Sequence, residues 1–142
     1  MNSVDFEPIY SAFWDYVKGL SGIVTKSRRV KHWSDVPAEE QPALFMGEDS
    51  EDSRQTKGLT AKNALLVRLF LYVHAGEDEN AVPATLLNLY LYRLRQLLEA
   101  ENVDRSQTLN GLVSHAWVTH VEKDAGILGG QAVAIIDVEI FF

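Results

Sequence analysis

The chain has 142 residues, 46% of them hydrophobic, with a net charge of −7 and no cysteine. That length and apolar share suit one domain with a substantial core, and the charge argues against generic nucleic-acid affinity, which comes from cations displacing phosphate counterions. Without cysteine there is no disulfide, no thiolate nucleophile and no Cys-based zinc site.

The opening MNSVDFEPIYSAFWDYVKG sets acids inside its apolar pattern, unlike a secretory signal, so no export by that route is expected. No membrane span is expected either, since even LYLYRLRQLL is broken by arginines. Residues 5–18 place Phe6, Ile9, Tyr10, Phe13, Trp14 and Val17 at helical spacing, with Asp5 and Glu7 at the favourable end and Gly19 as a stop. That aromatic stripe reads as a face docked on a sheet. Ser21 and Gly22 break the chain, residues 23–33 read as an extended segment, and Pro37 and Pro42 mark the following stretch as turns.

A short strand is expected at 43–47, running into the acids Glu48, Asp49, Glu51 and Asp52. Residues 48–62 combine low hydrophobicity with high charge density and are expected to form a mobile loop. Residues 63–75 alternate as a strand: Leu65, Val67, Leu69, Leu71 and Val73 on one face, Leu66, Arg68, Phe70, Tyr72 and His74 on the other. After a loop, Pro83 opens a helix over 84–100, whose stripe comprises Leu86, Leu87, Tyr90, Leu91, Leu94, Leu97 and Leu98. Strands at 112–122 and 131–142 follow, joined by the glycine-rich KDAGILGG as a hairpin connection.

The order helix, three strands, helix, two strands predicts an α+β fold: a mostly antiparallel sheet of about four to five strands with both helices packed on one face. The other face mixes Phe70, Tyr72, Trp117 and Phe141 with Arg68, His74 and Glu139. It is too apolar for comfortable solvation and too polar for a deep core, a composition that suits a subunit contact.

Catalytic chemistry finds little support. His115 and His120, five apart on a strand, are expected on opposite faces, and His32 and His74 belong to other elements, so neither a metal site nor any cofactor is expected. No Gly-x-Ser-x-Gly occurs, Ser114 falls inside a predicted strand, and GILGG lacks the Lys-Ser/Thr of a phosphate loop. An enzyme of unrecognised type would instead show a well-formed pocket with converging ionisable groups. The basic segment 26–31 offers the alternative of a nucleic-acid-binding adaptor, with Trp33 able to stack on a base. On a strand, however, Lys26 and Arg28 would share one face and Arg29 and Lys31 the other, and the same charges serve equally to protect a sheet edge. A further reading sets Glu48, Asp49, Glu51 and Asp52 of one copy against Arg28, Arg29 and Lys31 of the next, a head-to-tail contact that generates a ring if its rotation closes.

Taken in order, RRVKHWSDVPAEEQPALFM, LFLYVHAGEDENAVPATLLN, TLNGLVSHAWV and GILGGQAVAIIDVEI resemble the tail terminator family of long-tailed bacteriophages, also called tail completion or head–tail joining proteins. The resemblance runs from about residue 5 to the end and rests on the order of the motifs. It implies a non-enzymatic virion subunit, assembled in the host bacterial cytoplasm, that forms a hexameric ring. That ring caps the tail tube, stops its polymerisation and meets the head connector or neck protein, while DNA passes through the lumen without specific binding. Asp137 stands where relatives often carry proline, and the middle helix is unusually rich in tyrosine and arginine.

Overall fold

The computed structural model describes residues 5–99, 106–125 and 129–142. Helix α1 (Glu7–Val17) begins with Pro8 in its first turn and with the Asp5 carboxylate accepting from the Glu7 N–H, so the free backbone donors meet an anion. Strands β1 (Thr25–Ser27), β2 (Ala43–Arg54) and β3 (Lys62–His74) precede helix α2 (Pro83–Leu97), and strands β4 (His115–Asp124) and β5 (Gln131–Phe141) complete the chain. The sheet order is β1-β2-β3-β5-β4; only the β1–β2 pair is parallel. The expected α+β fold with a mostly antiparallel sheet is therefore present.

Both helices cover the same side. Ile9, Tyr10, Phe13 and Val17 of α1 and Leu87, Tyr90, Leu91 and Leu94 of α2 pack on Leu65, Val67, Leu69, Leu71 and Val73 of β3 and on Ala132, Ala134, Ile136, Val138 and Ile140 of β5. The two central strands obey the expected alternation because a side-chain period of two leaves one register that buries all of these residues together. Of the expected α2 stripe, Leu86 and Leu97 are only partly buried. The glycine-rich connection before β5 lies partly outside the described residues.

Three expectations need correction. The acidic stretch is not a loop from residue 48: β2 continues to Arg54, paired residue by residue with β3, and the turn occupies only 55–61. Backbone pairing to an adequate partner outweighs low intrinsic strand propensity, because an edge strand can keep its charges in water while its amides are satisfied. The extended segment 23–33 forms a strand over only three residues. The remainder leaves the sheet edge and crosses its outer face through two short 3-10 turns, Trp33–Asp35 and Ala38–Glu40. Finally, β4 begins at His115, three residues later than expected.

Candidate assembly surface

The outer face of the sheet divides into two halves. One half is covered by the chain itself. Val36 packs with Ala43, Phe45, Tyr72 and Val133, flanked by Trp33 and Phe70. The Tyr72 hydroxyl donates to the Lys31 carbonyl at 2.6 Å, and the Gln131 amide donates to the Trp33 carbonyl at 3.3 Å. Tyr72, expected at a subunit contact, is thus only 3% exposed, and its burial pushes the phenol pKa up. Phe70 is half-covered by the same segment.

A charged row marks the boundary. Gly47, Arg68 and Asp137 sit opposite one another across β2, β3 and β5, and His120 pairs with Asp137 across β5 and β4. Arg68 donates from Nε to Asp137 at 3.0 Å and from Nη1 to Asp49 at 3.1 Å, contacts that hold the guanidinium firmly charged. Both flanking strands carry an irregularity at this level: β2 between Glu48 and Ser50, β4 between Val118 and His120. A bulge inserts one residue and shifts the alternation beyond it. It puts His115 and His120 on the same outer face, because Phe141 and Asp137, their partners on β5, share that face; the opposite-face expectation was drawn for an unbroken strand.

Bulging also sorts the acids of β2. Glu48 and Glu51 turn to the helix side, where Arg28 meets both Glu7 and Glu48 and the Tyr10 hydroxyl donates to Glu51 at 2.5 Å. The hydrogen bond from Arg28 draws the Glu7 pKa down, whereas burial, followed by the Glu51 carboxylate, pushes that of Tyr10 up. Asp49 stays with Arg68 on the outer side. Asp52 has no ion-pair partner among the described residues. Arg28 and Glu48, expected to meet across a subunit boundary, therefore meet within one chain.

Of the basic segment, Lys26 donates to the Lys18 carbonyl at 2.5 Å and Arg28 is held by two carboxylates. Arg29 and Lys31 remain exposed, so the four cations do not form one phosphate-tracking row.

Beyond the charged row the outer face is uncovered. Trp117 is 47% exposed and meets the edges of His115 at 4.6 Å and Phe141 at 6.0 Å, with Phe141 half-buried beside it. Trp117 and Phe141, both expected at an interface, stand here together with the aliphatic Leu66.

A cavity of about 180 Å³ is lined by Arg68, Phe70, His120, Glu122, Ile135 and Asp137. None of these is a hydroxyl, thiol or amine nucleophile, and the guanidinium at its floor is already bound by carboxylates. Among the described residues no group of three His, Cys, Asp or Glu side chains could hold a metal ion, and no helix is long and apolar enough to cross a membrane.

Sequence reasoning missed the covering of the outer face by 28–42 and the two bulges. The alternation of Val30, Trp33 and Val36 at roughly three-residue spacing was a legible signal for the first. For the second no local signal exists, because each bulge is fixed by what the strand must reach on either side of it.

No protein-family model and no curated protein matches the chain. Among solved structures it is similar to a chain from the virion of a native gene transfer agent particle, with a TM-score of 0.53 and 7% identity, over 92% of this chain and 91% of that one. At that identity the likeness is one of fold, and it extends through nearly the whole of both chains.

Proposed function

We propose that this chain is a structural subunit of a phage-type virion, and specifically a tail terminator whose copies form a ring, six in number by the family resemblance, that caps the tail tube and presents a joint to the head connector. The observation that carries the reading is the likeness, nearly end to end, to a chain of a virion particle. It agrees with the ordered motifs resembling tail terminators, and the uncovered aromatic half of the outer face, Trp117 with Phe141 and Leu66, is where such a subunit would find a partner. The Arg68–Asp137 pair in the cavity described above suits scaffolding more than turnover.

The test is electron microscopy of tails assembled with and without the protein, alongside the native mass of the purified chain in the presence of tail tubes. Tubes of uncontrolled length in its absence, and ring-shaped particles on tube ends in its presence, are expected. Tubes of the same length distribution in both cases overturn the reading.

A further inference from the structure

Two turns at opposite ends of the sheet carry opposite charge. At one end the β2–β3 turn presents Arg54, Lys57 and Lys62, with no acid between residues 53 and 63. At the other, the loop from β3 to α2 presents Glu77, Asp78 and Glu79, with no cation between residues 75 and 82. All six side chains are exposed, and none is in an ion pair among the described residues. β3 spans 13 residues, so the two clusters lie about 40 Å apart at the rise of a strand and cannot meet within one copy.

Each cluster adjoins an apolar feature in the chain. Within the basic turn Leu59 is 66% exposed. It is held outward by a tight turn in which its N–H bonds the Thr56 carbonyl at 2.9 Å and Gly58 takes φ 84°, a conformation that suits glycine. Beside the acidic loop, Ala75, Val82, Thr85, Leu86 and Leu89 line an open hollow of about 590 Å³. Val82 and Leu89 in that hollow are 57% and 42% exposed, an unusual amount of aliphatic surface for a helix start in water. An apolar knob on a turn that carries cations and an apolar hollow next to a loop that carries carboxylates match in both polarity and charge.

We propose that a second copy of this chain occupies the hollow: Leu59 of one copy seats between Val82, Leu86 and Leu89 of the next, with Arg54, Lys57 and Lys62 facing Glu77, Asp78 and Glu79. The contact joins two different surfaces, so it repeats head to tail and closes into a ring or continues as a filament according to its rotation. Exposed charge pairs orient and accelerate such docking more than they hold it, and the buried leucine supplies the hold. This deepens the ring reading by assigning its subunit contact, and it uses neither the acids of β2 nor the basic segment 26–31.

The absence of native cysteine makes a direct test possible. Thr60→Cys beside the knob and Thr85→Cys in the lining of the hollow, introduced in one chain, leave Leu59, Val82, Leu86 and Leu89 in place. A short bis-maleimide should then give a ladder of dimers and higher multiples at low salt, weakening as salt screens the charges. Each single variant should stop at dimers. Reversing Lys57 and Lys62 to Glu in that background should cut the ladder by about tenfold, the scale expected for like charges placed face to face. Adding Glu77→Lys, Asp78→Lys and Glu79→Lys to the reversed chain should restore it, an outcome that general destabilisation would not produce. A ladder no stronger than that of an Asp15→Cys/Asp124→Cys control, or one indifferent to reversal, overturns the contact. Rings seen on tail tubes together with that negative result would leave the tail-terminator reading standing and remove only this interface.

Discussion

Arg68 and Asp137 face each other on β3 and β5 and are joined by a 3.0 Å hydrogen bond from Nε to Oδ1, at the level where both neighbouring strands bulge. Asp137 anchors a row that runs from Asp49 through Arg68, with His120 opposite it in the register of β4 and β5. Arg68→Met should lower the melting temperature more than Asp49→Asn, because it strands two carboxylates while the latter removes one partner of several. Equal shifts in thermal melts would mean that the row is not coupled.

Tyr72→Phe removes the hydrogen bond to the Lys31 carbonyl while keeping the ring in place. The cost should be about 1 kcal/mol, the usual net worth of such a bond. Its distinctive readout is local: tryptic cleavage after Arg29 and Lys31 should accelerate more than global unfolding does. Cleavage rising only in step with global unfolding would show that the segment is held by packing alone.

The Glu7 carboxyl titrates below the ordinary 4.5 because Arg28 donates to it. A carboxyl with a depressed folded-state value adds stability above its unfolded value, and that increment fades as pH falls through the folded one. NMR titration should therefore find the Glu7 midpoint below 4.5 in the native chain and shifted up in Arg28→Ala. A midpoint unmoved by the substitution would dissolve the proposed pairing.

A Cβ at Gly130 would lie 2.3 Å from the Gly76 carbonyl oxygen, where the Gly130 carbonyl itself accepts from the Ala75 N–H. Gly130→Ala must push two backbones apart and should destabilise the chain by about 1–3 kcal/mol in denaturant titration. Stability within error of the native chain would mean that the loop yields freely.

Trp117→Ser should lower monomer stability by about 1–2 kcal/mol, since a half-exposed ring gives up its contacts with His115 and Phe141 while the fold is kept. If the uncovered aromatic patch is a partner site, the same change should weaken capping of tail tubes. Normal capping would move that site elsewhere on the molecule.

Legibility followed periodicity. Strands β3 and β5 and the stripe of α2 are readable because their alternation is long and unbroken, so only one register buries every leucine, valine and isoleucine together. Phe70 and Tyr72 were assigned to the correct face, but alternation cannot tell whether a face meets another copy or the chain's own residues 28–42. The acids from Glu48 to Asp52 misled for a related reason: charge density describes a side chain's preference for water, while β2 is decided by backbone pairing with β3. His115 and His120 were separated in the reading by a single uncounted residue in β4.

The other bulge, the extra residue Asp49 in β2, has a consequence for how the gene can change. Everything in β2 on the turn side of it already sits one step out of phase with the chain numbering, so excising Asp49 alone would leave Phe45 and Glu51 on the sides they now occupy. An excision between Ala43 and Phe45 would instead send part of the strand to the wrong side, taking aromatic surface into water or charge beneath a helix. Length variation in this strand should accordingly be tolerated at one level of the sheet and purged at its neighbours.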